Sequence, residues 1–338
     1  MRKGKHPNGA AYPAPSGPPL PSSVLLAVHL FVYSDLAPAA RAYLLRQLPA
    51  GTRVTFRPDL PADAQRLAFQ AAEVLLGNPP VEWLAGEVPP GLRFWQIDSA
   101  GFEQYAHLRL RIPVANVGDF FAWPCAETIV AGVLAHYRHL DRLAVLQQQR
   151  RWAGPPVRKQ LRLLRGQRVV ILGAGAIAQA VREQLGGFRC QVQLLARTDA
   201  RAQLHSREEL RAALPHTDLV INCLPGSAEG FFSTDLIEAM RPGSVYASVG
   251  RGNTTDEPAL IRALQSGQLG GAVLDVTAQE PLPPDSPLWT MPQVLLTQHT
   301  AGGQPHEDEG KVDILLDNLA RLQRSEQPVN RVELSRGY

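Results

Sequence analysis

The sequence has few cysteines and no long apolar run. Its 338 residues include three cysteines, Cys125, Cys190 and Cys223, which are widely spaced and show no paired metal-ligand pattern. This count and spacing argue against a disulfide framework or a cysteine-based metal site, and favour a reduced, cytoplasmic protein. No apolar run approaches the roughly 18 residues that a membrane helix needs, and the N-terminus lacks the apolar core of a signal peptide. We therefore predict neither a metal nor a membrane partner.

Acidic residues are scarce between Arg138 and Arg168, where the chain is rich in arginine and contains one acid, Asp141. This run is the clearest local source of the net charge of +3. A nucleic-acid patch is conceivable there, but aromatic interleaving and a known binding motif are both missing. A solvated helix and linker is the simpler interpretation, and we predict no nucleic-acid partner.

The length and the N-terminal composition indicate the domain organisation. A chain of 338 residues is too long for one ordinary core, so two domains are expected. Residues 1–22 are basic and then rich in proline, which predicts a disordered tail; a misassigned start codon would produce the same pattern. We place the domain boundary near residues 120–125.

Short apolar strands alternate with helical stretches through the rest of the chain. In the first part, strands are predicted near 24–33, 53–56 and 92–97, with an apolar run at 72–76 and a helix over 39–48. A long helix over 126–146 follows, with apolar residues on one face. Later strands are predicted at 191–196, 219–224, 245–248, 271–274 and 294–297, with helices at 207–214, 233–240 and 257–265. This alternation predicts an α/β protein with a doubly wound parallel sheet.

The segment Arg168–Ala178 joins an apolar strand to a helix through a glycine turn. Gly173 permits the tight bend, Gly175 lets a pyrophosphate approach the backbone, and the helix opening at Ala176 and Ile177 presents unpaired N–H groups to the anion. Such turns also occur as plain structure, and Ala178 stands where a third glycine is usual. The segment is the first indication of a dinucleotide site.

The residues after the predicted strand at 191–196 affect the choice of cofactor. An acid at that strand end would accept hydrogen bonds from the adenosine ribose of NAD, but the chain has Arg197 and then Thr198. A guanidinium suits a 2′-phosphate, so NADP is favoured. The alternative is that Arg197 is an ordinary surface arginine and that Asp199 takes the NAD role.

Three ionisable residues follow three later strands of the predicted sheet. Arg251 follows the strand at 245–248, Glu280 the strand at 271–274, and His299 the strand at 294–297. The carboxyl ends of parallel strands meet at one edge, so we expect these side chains to converge. A 2-keto acid needs a cation for its carboxylate, a proton donor for its ketone oxygen, and an anion that keeps this donor protonated. Arg251, His299 and Glu280 supply these in that order.

A turn of small residues follows the predicted strand at 92–97. Asp98-Ser99-Ala100-Gly101 lies at a strand's carboxyl end, where α/β proteins usually bind ligands. A tight turn without a ligand fits equally well, so the residues alone leave both interpretations open.

The order and spacing of several motifs resemble the D-isomer-specific 2-hydroxyacid dehydrogenases, the family of glyoxylate/hydroxypyruvate reductases and phosphoglycerate dehydrogenase. The resemblance covers roughly residues 115–319. Its motifs are Ala126-Glu127, the glycine turn, Asn222-Cys223-Leu224-Pro225, Val249-Gly250-Arg251-Gly252 with Asp256, Leu274-Asp275-Val276 with Glu280-Pro281-Leu282, Pro287-Leu288-Trp289 and Gln298-His299-Thr300-Ala301-Gly302. The chain departs from the family pattern at Ala178, where a third glycine is usual, and at Gly226–Glu229. It also departs at Gln298, where the family commonly has proline.

The resemblance implies a role for each site residue. Hydride moves between the nicotinamide and substrate C2 while His299 gives or takes the hydroxyl proton, with Glu280 as its partner and Arg251 on the carboxylate. The turn of Ser99, Ala100 and Gly101 would bind the same carboxylate through its amides, and Asp275 would lie near the nicotinamide. The predicted cofactor contacts are Gly173, Gly175, Ala176, Ile177, Arg197, Thr198, Cys223, Leu224, Pro225, Val249, Gly250, Asp275 and Gly302.

The family's architecture and assembly are also expected of this chain. A Rossmann nucleotide domain would span residues 123–304, and a smaller flavodoxin-like substrate domain would span 23–122, completed by the C-terminal helix within 305–338. The resemblance further implies a homodimer formed through the domain that contains the long helix.

The function expected from these features is reduction of a small 2-keto acid. Glyoxylate or hydroxypyruvate would be converted reversibly to the D-2-hydroxy acid, with NADP as the cofactor and NAD as the alternative. A different function on the same scaffold is a corepressor-like binding protein in which the nucleotide controls assembly. Retention of the arginine, glutamate and histidine does not exclude it.

Overall fold

The computed structural model describes residues 28–86 and 88–337, so the predicted tail over 1–22 lies outside the described residues. The first elements are β1 (His29–Val32), α1 (Pro38–Gln47), β2 (Arg53–Phe56), α2 (Ala62–Gln70), β3 (Val74–Leu76), α3 (Val81–Ala85), β4 (Phe94–Gln96), β5 (Val114–Ala115), α4 (Ala122–Arg138), α5 (Leu140–Gln148) and α6 (Gly154–Arg158). They continue with β6 (Arg168–Leu172), α7 (Ala176–Gly187), β7 (Gln191–Leu195), α8 (Arg207–Ala213), β8 (Leu219–Asn222), α9 (Thr234–Ala239), β9 (Val245–Ser248), α10 (Glu257–Gln265), β10 (Gly271–Leu274), β11 (Val294–Leu296) and α11 (Glu307–Gln323). Among the described helices, none is long and apolar enough to cross a membrane.

The chain divides into two compact units, and the first contains residues up to Phe120 and from Gln304 onward. Its five strands are all parallel in the order β2-β1-β3-β4-β5, the flavodoxin order. Successive residues of β1 point to opposite faces, so Leu30 packs with Leu315 of α11 while Phe31 packs with Phe69 of α2. Both faces of the sheet are therefore covered, as parallel sheets require.

The second unit, Phe121–Gly303, is built on six parallel strands in the order β11-β10-β9-β8-β6-β7. Beyond β7, Leu204 forms an isolated parallel bridge with Leu195. One face of the sheet packs against α4 and α7, and the other against α8, α9 and α10. The prediction of an α/β protein with a doubly wound parallel sheet is confirmed.

The prediction of a single helix over 126–146 was wrong. The chain forms α4 and α5 instead, separated by His139, whose φ of 51° lies in the left-handed region and ends the first helix. The apolar period continues past this residue, which is why the sequence indicated one helix. In α5, however, Leu140 is 53% exposed and Ala144 is also exposed, so the predicted buried face stops with α4.

Candidate active site

The sheet of the second unit has its topological switch point between β6 and β8. From β6 the chain continues to β7 on one side and then to β8 on the other. In open α/β sheets, ligands bind outside the carboxyl ends of the strands at such a point. The glycine turn follows β6, and Cys223, Leu224 and Pro225 follow β8. Both groups of predicted cofactor residues therefore lie at the switch point.

The glycine turn leaves room for a phosphate. Gly173 has a φ of +108°, which favours glycine, and a Cβ there would lie 3.4 Å from the carbonyl oxygen of Cys223. A Cβ on Gly175 would meet no described atom within 4 Å, and both Gly175 and Ala176 are exposed where α7 begins. Ile177, in the first turn of α7, is half-buried. An exposed helix N-terminus beside open space fits the pyrophosphate of a dinucleotide.

The ends of β8, β9 and β10 are joined by close backbone contacts. The N–H groups of Val249 and Gly250 donate to the carbonyl of Asn222 at 3.0 and 3.1 Å. A Cβ on Gly250 would collide with the backbone of Leu224, and a Cβ on Gly252 with the backbone of Thr277. Only glycine fits at these two positions, so the loop that carries Arg251 is held between its neighbours.

Gly252→Ala is expected to reduce both stability and activity. The added methyl group would force the loops after β9 and β10 apart, at a cost of about 1–3 kcal/mol for overpacking. Thermal unfolding and steady-state kinetics measure the two effects. Gly186→Ala is the matched control, because a Cβ there would meet no described atom within 4 Å. Equal stability and activity in the two variants would contradict the need for this close approach.

His299 and Glu280 form a direct pair at the ends of β11 and β10. Nδ1 of His299 donates to Oε2 of Glu280 at 2.6 Å, and Oε1 of the same carboxylate accepts from the N–H of Thr277 at 3.0 Å. The other ring nitrogen of His299, Nε2, makes no hydrogen bond to the described residues, and the side chain is half exposed. A histidine oriented by a carboxylate through one nitrogen can exchange a proton through the other.

Asp275 holds the turn that presents His299. Its side chain is almost fully buried, and its Oδ1 accepts from Oγ1 of Thr297 at 2.6 Å and from the N–H of Thr300 at 3.0 Å. Its carbonyl also accepts from the N–H of His299 at 2.6 Å. Gln298 and His299 have φ values of 54° and 55°, which non-glycine residues seldom adopt. The Asp275 carboxylate, predicted as a cofactor contact, is thus bonded within this turn.

A buried asparagine supports the loop of Arg251, and the sequence did not predict it as a site residue. Nδ2 of Asn222 donates to Oγ1 of Thr254 at 2.7 Å, and this hydroxyl donates to the carbonyl of Arg251 at 2.6 Å. Nδ2 also donates to the hydroxyl of Tyr246 at 2.8 Å. The available signal was a polar residue that closes the apolar strand β8. Arg251 itself follows β9, which neighbours β10 in the sheet.

A cavity of about 430 Å³ adjoins the His299–Glu280 pair. Its apolar wall is formed by Leu274, Pro281, Leu282, Trp289 and Leu296. The sequence had singled out Trp289 only as part of a motif. The His299–Glu280 pair therefore borders an apolar surface on one side.

The residues after β7 lie beside the glycine turn and are charged. Arg197 and Thr198 are exposed, and the Arg197 guanidinium has no hydrogen-bond or ion-pair partner among residues 28–86 and 88–337. Asp199 is paired with Arg201, whose Nη2 donates to Oδ2 at 2.6 Å. Arg201 was not among the predicted site residues. Its Nη2 also donates to the carbonyl of Ala174 in the glycine turn, at 3.1 Å.

Gly302 and Cys223, two further predicted cofactor contacts, both lie in the second unit. A Cβ on Gly302 would lie 3.1 Å from the ring of Phe121, so the backbone passes close to that ring. Cys223 is half-buried, and desolvation raises the pKa of its thiol far above the usual value. The thiol is therefore neutral, which is compatible with a cofactor contact but not with a role as a nucleophile.

The turn at 98–101 lies in the first unit and is described by itself. Nδ2 of Asn78 donates to Oγ of Ser99 at 3.0 Å, and Nδ2 of Asn116 donates to the carbonyl of Ala100 at 2.7 Å. Oγ of Ser99 donates to the carbonyl of Gly101 at 2.6 Å. No described group accepts a hydrogen bond from the N–H groups of Ser99, Ala100 or Gly101. A turn whose amides point to no internal acceptor suits an anionic ligand.

This arrangement defines a class of protein, a nicotinamide dinucleotide-dependent oxidoreductase. Residues 130–301 match the model of the D-isomer specific 2-hydroxyacid dehydrogenase family, NAD binding domain. The chain is 33% identical over 280 residues to glyoxylate/hydroxypyruvate reductase A of Salmonella paratyphi C, covering 78% of this chain and 86% of that protein. It belongs to the D-isomer specific 2-hydroxyacid dehydrogenase family.

Solved structures agree with this assignment. A D-isomer specific 2-hydroxyacid dehydrogenase from Xanthobacter autotrophicus Py2, in complex with NADPH and MES, has a TM-score of 0.77 at 26% identity, covering 93% of this chain and 100% of that one. An NADPH-dependent glyoxylate/hydroxypyruvate reductase from Sinorhizobium meliloti shares the fold, with a TM-score of 0.78 at 22% identity over 92% of this chain and 100% of that one. The predictions of the family, of an enzyme and of a nicotinamide cofactor are confirmed.

Proposed function

We propose that this protein reduces a small 2-keto acid, such as glyoxylate or hydroxypyruvate, to the D-2-hydroxy acid with NADPH, and that it also catalyses the reverse reaction. The observation that carries the proposal is the 2.6 Å hydrogen bond between His299 and Glu280, one strand from Arg251. The substrate class is supported by the relatives named glyoxylate/hydroxypyruvate reductase.

In this proposal the chain's own residues bind the substrate and move one proton. Arg251 holds the substrate carboxylate with its guanidinium and polarises the ketone oxygen. His299 gives its Nε2 proton to the ketone oxygen during reduction and takes the hydroxyl proton during oxidation. Glu280 keeps the imidazole oriented through Nδ1 and balances its charge. The bound nucleotide supplies the hydride in one direction and accepts it in the other.

NADP is proposed as the preferred cofactor, with NAD as the alternative. The Arg197 guanidinium is exposed beside Thr198 and has no partner among the described residues, which suits the 2′-phosphate that distinguishes NADP. The related structure from Xanthobacter contains NADPH. The cytoplasmic location, the homodimer and the functional roles of the two domains stay predictions.

The direct test is turnover by the purified protein. With NADPH or NADH and a panel of glyoxylate, hydroxypyruvate, pyruvate and bulkier 2-keto acids, we expect loss of reduced-nicotinamide absorbance, fastest with NADPH and the two smallest polar acids. Oxidation of D-glycerate but not L-glycerate by NADP would establish the stereochemistry. Tight nucleotide binding without turnover on any acid would contradict the proposal and favour the corepressor-like alternative.

A further inference from the structure

Arg201 and Asp199 form an ion pair shortly after β7, where the sequence places the choice between NADP and NAD. Oδ1 of Asp199 accepts from the backbone N–H and from Nε of Arg201, both at 2.9 Å, and Oδ2 accepts from Nη2 at 2.6 Å. Both carboxylate oxygens are therefore bound by one residue in a fork geometry. These hydrogen bonds lower the pKa of Asp199 to about 2, so the carboxylate is ionised at neutral pH.

Asp199 is the acid that the sequence left available for an NAD site. In such sites a carboxylate near the end of the second strand accepts hydrogen bonds from the ribose hydroxyls. The same negative charge would repel a 2′-phosphate. Two residues earlier, Arg197 carries a guanidinium with no partner among residues 28–86 and 88–337. The acid is engaged, whereas this neighbouring cation is available.

Arg201 is also anchored to the glycine turn. Its Nη2 donates to the carbonyl of Ala174 at 3.1 Å, and Gly173 and Gly175 flank this residue. The arginine thus links the acid after β7 to the loop where we place the pyrophosphate. Its guanidinium is held by two acceptors, which fixes the direction of the Asp199 carboxylate.

We propose that Arg201 determines the nucleotide preference by masking Asp199. With the carboxylate bound and its charge balanced by Arg201, the ribose subsite disfavours the free 2′-hydroxyl of NAD and accepts the 2′-phosphate of NADP beside Arg197. This inference rests on the proposed function only in placing the adenosine ribose after β7. It assigns a specificity-determining role to a residue that does not itself need to touch the nucleotide.

The test uses fragments that lack the nicotinamide, so that it is independent of turnover. Binding of 2′,5′-ADP and of 5′-AMP is measured by calorimetry on the full-length wild type and on Arg201→Ala. We expect Arg201→Ala to weaken 2′,5′-ADP about tenfold and to tighten 5′-AMP, because the unmasked carboxylate repels the phosphate and accepts from the hydroxyls. Arg211→Ala, at an exposed arginine of α8, is the control and should change neither affinity.

A double variant separates masking from direct contact. If Arg201 acts by masking, Asp199→Asn together with Arg201→Ala should restore the affinity for 2′,5′-ADP to within about threefold of wild type, since the freed charge is gone. A double variant as weak as Arg201→Ala would overturn the inference and make Arg201 a direct phosphate ligand. Equal weakening of both fragments in Arg201→Ala would also overturn it, as loss of turn structure. A protein that shows the expected binding but no turnover would refute the proposed function alone.

Discussion

His299→Ala is expected to lower kcat for 2-keto acid reduction by about 10²–10⁴-fold while nucleotide binding is retained. The substitution removes the Nε2 proton donor, and general acid catalysis by a positioned side chain typically contributes that much. The adenosine half of the nucleotide is expected at the glycine turn and after β7, at other strand ends, so its affinity should stay within about twofold. Steady-state kinetics at saturating substrate measures kcat, and NADPH fluorescence titration measures the nucleotide affinity.

A matched histidine variant keeps this experiment specific. His216 is exposed on the segment before β8, and His216→Ala should have wild-type kinetics. If His299→Ala keeps more than a third of wild-type kcat, the proton must come from another group and the assignment of His299 fails. If it loses nucleotide binding as well, the variant has disturbed the turn held by Asp275 and Glu280→Gln becomes the informative substitution.

Arg251→Ala is expected to reduce kcat/KM for glyoxylate by about 100- to 1000-fold. A guanidinium that binds a carboxylate with two charged hydrogen bonds contributes roughly 3–4 kcal/mol, and each 1.4 kcal/mol is a factor of ten. Both a higher KM and a lower kcat should contribute, because the same side chain binds the carboxylate and polarises the ketone. Arg251→Lys should lose less, since it keeps the charge but not the planar fork.

A substrate without a carboxylate isolates the contact that Arg251 makes. Wild-type enzyme should prefer glyoxylate over glycolaldehyde by a large factor, and in Arg251→Ala this preference should shrink to less than about tenfold. An unchanged preference would mean that Arg251 does not bind the carboxylate.

Much of the fold was predictable from local patterns. The strands at 245–248 and 271–274 have the predicted bounds, because apolar runs between turn residues mark buried parallel strands. The strand at 53–56 and the helix at 257–265 also have the predicted bounds. The break between α4 and α5 was not predictable. A single residue in the left-handed conformation, His139, changes the direction of the chain without interrupting the apolar period.

The candidate site was predictable only in part. Arg251, Glu280 and His299 were predicted as site residues because each follows a strand, and strand ends meet at one edge of a parallel sheet. The support by Asn222 and the masking pair of Asp199 and Arg201 were not identified. Both features depend on which hydrogen bonds form between loops, and the spacing of residues in the sequence does not determine which ones form.

By itself, the sequence determined the α/β class, the glycine turn before α7 and the three strand ends that carry Arg251, Glu280 and His299. These follow from short-range rules, since hydrophobic period and glycine placement act within a few residues. Only the tertiary structure decided that Asp275 is used within the turn it joins and that Arg201 occupies the carboxylate of Asp199. The reason is physical: a buried or paired polar group takes the partner that packing brings within hydrogen-bond distance, and packing is set by the whole sheet.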